Sequence, residues 1–72
     1  MMAHPLKHYR NAQGITQEAL AARLGVTSIT ISRWETGARK INRHKLQVVA
    51  RETGIPAAEL RPDLAEIFGV AE

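Results

Sequence analysis

Three times in this 72-residue chain the same short signal recurs: an apolar residue, then Thr or Asn, then a second apolar residue four positions on. Ile15-Thr16 leads to Leu20, Val26-Thr27 to Ile31, and Ile41-Asn42 to Leu46. Thr and Asn accept a hydrogen bond from an N–H left orphaned at a helix start. The apolar pair around such a cap is a hydrophobic staple, which fixes how the chain enters the helix. The stops agree with the starts. Gly25, Gly37 and Gly54 follow the last periodic residues, where a helix end favours positive φ. Helices over about 16–24, 27–36 and 42–53 are predicted.

The remaining segments extend this pattern. Pro5 suits a first helical position, with Leu6, Tyr9 and Arg10 following at helical spacing, and Asn11–Gly14 reads as a turn. Pro56 and Pro62 bracket a short fifth turn around 56–60. Asp63 is placed to cap a last short helix carrying Leu64, Ile67 and Phe68. Val26, Thr27, Ile29, Thr30 and Ile31 are β-branched, a class enriched in strands. A strand there leaves the cap-and-staple signal unexplained, so the expected fold is all-α and compact, with five helices.

The direction of the third helix follows from its periodicity. At about 100° per residue, Trp34 lies about 60° from Ile31 and shares its inward side. Ile29 lies about 160° away. The outward face is therefore Ser28, Ile29, Ser32 and Arg33, with no acid on it. In the preceding helix Leu20 and Leu24 face inward, Ala21 permits a close crossing, and Gly25 supplies the φ of a sharp turn. This spacing is that of a helix-turn-helix, whose second helix enters the DNA major groove.

Charge points the same way. The net charge of +3 divides into nine Lys/Arg against two acids over residues 1–51, and one against five over 52–72. A basic body suits an anionic partner, although basic side chains are also ordinary solvated surface. Cysteine is absent, so neither disulfides nor thiolate metal sites can staple so small a core, which leaves helix packing and dimerisation. No apolar run suggests a membrane span or signal peptide, and a cytoplasmic location is expected.

The residues ITQEALAARLGVT, SRWETG and TGIPAAEL make residues 6–60 resemble the Xre-type, or lambda-type phage repressor and Cro, helix-turn-helix family. The closing ELRPDLAEIFG is similar to short Cro-like and antitoxin-type repressors. The resemblance implies a lambda-repressor-like domain over 1–61, with the helix-turn-helix at helices 2 and 3 and a tail over 62–72. It places Ser28, Ile29, Ser32 and Arg33 at the base-reading positions. Gln17 and Thr27 would meet phosphates, although Gln17 can equally be an ordinary helix-start residue. Arg10 and Glu35 match an ion pair that orients Arg10 toward the DNA backbone, or else form an exposed pair of little worth. After Thr36, the loop carrying Arg39, Lys40, Arg43 and Lys45 would grip the phosphate backbone. Family members often carry Gln at base-reading positions where this chain does not, so their operators do not transfer.

Side-chain chemistry narrows the reading. Arg33 suits bidentate contact with guanine O6 and N7, and Ile29 suits a thymine methyl. The alternatives are a phosphate contact for Arg33 and a dimer or partner contact for Ile29. Trp34 reads as core, and three aromatic residues are too few for single-strand stacking. His4, His8 and His44 lack the company of a metal site, and no cofactor is expected. No nucleophile with a base, phosphate-cradling loop or carboxylate pair suggests an enzyme. The expected function is a transcriptional repressor, binding double-stranded DNA at a two-fold operator as a homodimer. The alternative is an antitoxin-type module that binds a toxin or other protein and represses its own operon. Leu64, Ile67 and Phe68 are expected to serve dimerisation, against the alternative that the tail folds back on its own core.

Overall fold

A computed structural model describes residues 4–64, which form five α-helices and a closing 3-10 turn, with no strand among them. The helices are α1 (Pro5–Gln13), α2 (Gln17–Leu24), α3 (Ser28–Thr36), α4 (Arg43–Thr53) and α5 (Ala57–Leu60); the turn is Pro62–Leu64. The three repeated starts are caps in fact. Thr16 Oγ1 accepts from Ala19 N, Thr27 Oγ1 from Thr30 N, and Asn42 Oδ1 from Lys45 N, at 2.9–3.2 Å. A fourth cap comes from His4, whose Nδ1 accepts from Leu6 N at 3.0 Å.

One boundary differs from the sequence reading. The first helix continues through Asn11 and Gln13, and Gly14 alone makes the turn. With φ +68°, its N–H returns to the carbonyls of Arg10 and Asn11. Asn and Gln are only mildly unfavourable in a helix, so they did not end it. Asp63 lies within the 3-10 turn Pro62–Leu64, and the last short helix expected after it, with Ile67 and Phe68, falls outside the described residues. The Asp63 carboxylate takes both Nε and Nη2 of Arg61, at 2.9 and 2.7 Å.

The core draws on every helix. Leu6, Leu20, Ala21, Leu24, Ile31, Trp34, Ile41, Leu46, Val49 and Leu60 are buried, and none of the described polar or charged residues is. Tyr9, Ile15, Val26 and Leu64 pack partly against this cluster. The α2–α3 contact is the most extensive, with α4 against α2 and α1 against α3. At the crossing Ala21 is buried, and Gly25 turns the chain at φ +72°. A Cβ on Gly25 would stand 3.4 Å from Lys45 Nζ. That amine donates to the Leu24 carbonyl at 3.3 Å, placing a cation at the C-terminal end of α2.

Candidate nucleic-acid interface

The turn at Gly25 and the caps on both sides of it fix α3 as an outer helix with one buried stripe. Ile31 and Trp34 fill that stripe. On the other side Ile29 is 61% exposed, the one exposed large hydrophobic among the described residues. Arg33 is exposed beside it, and Ser28 and Ser32 are half-buried. The four base-reading expectations thus fall on one face. Glu35, the acid of α3, is turned away from it.

Glu35 joins three elements. Its Oε2 accepts from Arg10 Nε at 2.8 Å, and its Oε1 from Arg10 Nη2 and Gln17 Nε2, both at 3.1 Å. Arg10 Nη1 also donates to the Ile15 carbonyl at 3.2 Å. The side chains are only 16% and 4% exposed, so the pair is no solvated surface contact. Burial alone would raise the Glu35 pKa. The hydrogen bonds from Arg10 and Gln17, with the charges of Arg10 and Lys7, outweigh it and hold the carboxyl below its ordinary 4.5. The Arg10 pKa is raised, chiefly by its bond to Glu35. The two side chains retain donors for an outside anion: three of the five Arg10 N–H groups are used in these bonds, and one of the two on the Gln17 amide.

The remaining phosphate expectations divide. Arg33, Arg39 and Lys40, with Thr30, Trp34 and Asn42, line a hollow of about 250 Å³ between α3 and the following loop. The loop is tied back to α3 by Arg39 N, which donates to the Arg33 carbonyl at 3.1 Å. The Thr36 hydroxyl belongs to that tie: it donates to the Arg33 carbonyl and accepts from Ala38 N. Thr27 shares a 3.0 Å hydroxyl contact with Thr30 while capping α3. Lys45 is held at the end of α2. Arg43 lines a different groove, on the α5 side of α4.

Lys40 meets a partner that sequence reasoning missed. Its Nζ lies 3.4 Å from Asp63 Oδ2. Arg61 donates from Nη1 to the Ile41 carbonyl at 2.6 Å, pinning the closing turn beside this loop. The Arg61-Pro62-Asp63 run signals a tight turn, with proline at a favoured position, but carries no signal for the contact with Lys40. Leu64 packs partly on its own core, while Ile67 and Phe68 lie outside the described residues.

Among the described residues no group of three His, Asp or Glu stands close enough to hold a metal ion, and no helix is long and apolar enough to cross a membrane. No curated protein and no solved structure matches the chain. A helix-turn-helix family model does match, over residues 6–60.

Proposed function

Since this chain belongs to the Xre-like helix-turn-helix family and is a DNA-binding transcriptional regulator, we propose that it is a repressor acting as a homodimer on a two-fold symmetric operator. Each copy lays α3 in the major groove, with half-sites about one helical turn apart. Repression is steric: the bound dimer occupies promoter DNA that polymerase needs.

The observation that carries this reading is the acid-free face of α3, where an exposed isoleucine stands beside an exposed arginine. Left in water, an isolated apolar side chain contributes nothing to folding. Against a thymine methyl it contributes contact and discrimination, while Arg33 reads guanine O6 and N7. Ser28 and Ser32 bring hydroxyls to the same surface. Arg10, Gln17 and Thr27 supply phosphate donors on one side of α3, and Arg39 and Lys40 on the other.

Selection from random duplex DNA, run for the parent and for Arg33→Ala at one salt concentration, tests the proposal. The parent enriches a symmetric site, and the variant relaxes one guanine per half-site at a cost of about 1–3 kcal/mol. Enrichment of an asymmetric single site removes the dimer. No enrichment, with binding that only fades as salt rises, removes sequence-specific repression altogether.

A further inference from the structure

Between α4 and the segment leading into α5 lies an open groove of about 770 Å³. Leu46, Ala50, Ile55 and Ala57 make its lining apolar, and Arg43 and Arg51 stand along α4 about 12 Å apart by helix rise. No acid lines it. We infer that this groove receives the C-terminal segment of the same chain, residues 65–72, AEIFGVAE.

The chemistry of the segment complements the groove. Ile67, Phe68 and Val70 are its large apolar residues, and its only charged side chains are Glu66 and Glu72. Arginines beside an apolar floor suit a peptide of that composition, burying a phenyl ring and pairing its carboxylates.

Position favours the chain's own tail over a second copy. Arg61 holds the Ile41 carbonyl and Asp63 lies against Lys40, so the closing turn sits beside the residues two and three positions before Arg43 in the chain. Leu64 is already packed on its own core. Eight further residues reach at most about 29 Å when extended, more than enough to run along α4. A tether this short gives an effective concentration in about the millimolar range, which a separate molecule at ordinary protein concentrations does not match. The docking does not depend on how the chain reads DNA. One consequence touches DNA binding: a tail carboxylate on Arg43 withdraws that cation from any phosphate.

Nuclear Overhauser contacts of the full-length chain test this directly, because Phe68 is its one phenylalanine and its ring signals are unambiguous. The expected result is contact between the Phe68 ring and the methyls of Ile55 and Ala57, unchanged on dilution. Phe68→Ala shifts those methyl signals toward free-solvent values, and Arg51→Glu, at an exposed site of α4, weakens the contact. Absence of the contact overturns the inference. A contact found between differently labelled chains and lost on dilution also overturns it, because a second copy is then the occupant. Insensitivity to Arg51→Glu overturns the charge pairing.

Discussion

Two isoleucines two positions apart show how position on α3 decides what a side chain is for. Ile31 is fully buried among Leu20, Leu24 and Trp34, whereas Ile29 is 61% exposed. Ile31→Ala removes packed methylenes from a core that cannot fully collapse, and should lower stability by about 2–5 kcal/mol in a denaturant titration. Ile29→Ala removes almost nothing from the core and should leave the denaturant midpoint nearly unchanged. On the proposed operator the effects reverse in kind. Ile29→Ala selectively weakens discrimination at a thymine in each half-site, read by comparing operators with and without the methyl group. A large stability loss from Ile29→Ala, with no change in thymine preference, would contradict the face assignment.

The helices were legible in the sequence wherever a local rule governed them. Caps, staples and terminal glycines are short-range features, so Thr16, Thr27 and Asn42 could be read without tertiary knowledge. The end of α1 was less legible because Asn and Gln are nearly neutral in a helix, and only Gly14 forces the turn. The outward face of α3 followed from periodicity alone. What could not be read was the use of each cation, because that depends on which carbonyl or carboxylate the fold brings near it. Lys45 lies 21 residues from the Leu24 carbonyl it holds, and Lys40 lies 23 from Asp63. His4 was legible only as a surface residue, yet it caps α1 through an unprotonated Nδ1. Burial holds its pKa below the ordinary 6.5, against the opposing pull of Glu35. A pH dependence at the scale of the helix follows. The folded state resists protonating His4, so its contribution is complete above pH 6.5 and is lost as pH falls toward the folded value. Glu35 repeats the sign lower down: its contribution is complete above pH 4.5 and is lost as pH falls through its own depressed value. Denaturant midpoints should therefore decline in two stages on acidification. His4→Ser, which keeps a cap without a titrating group, should remove the first stage only. Glu35→Gln should shrink the second, leaving the share of Asp63, whose carboxyl Arg61 holds well below the usual carboxylate range, and should lower stability at neutral pH on the order of 3 kcal/mol, because it leaves Arg10 without its charge partner.

For the molecule as a whole, a basic body is not a uniform attraction for DNA, because the fold already engages part of that charge. Nine of the ten Lys and Arg lie in residues 1–51. Lys45 is committed to a carbonyl and Lys40 to Asp63, whereas no carboxylate among the described residues pairs with Arg33 or Arg39. Each phosphate neutralised releases counterions, so the slope of log affinity against log salt counts the cations that reach the backbone. Arg39→Ala should reduce that slope by about one. Lys45→Met should leave it nearly unchanged and appear instead as a stability loss of about 0.3–1 kcal/mol, from the undone end of α2. Asp63 provides the sharper test. Its contact with Lys40 is exposed, the kind of pair that holds weakly and that a phosphate can outcompete. Asp63→Asn should free Lys40, tighten binding at low salt and steepen the slope. The same substitution loosens Arg61, whose Nη1 pins the turn to the Ile41 carbonyl. If Asp63→Asn weakens binding at every salt concentration, the closing turn acts mainly by holding the phosphate-facing loop in place. If binding tightens and the slope steepens together, the acidic end of the chain restrains the affinity of its basic body for DNA.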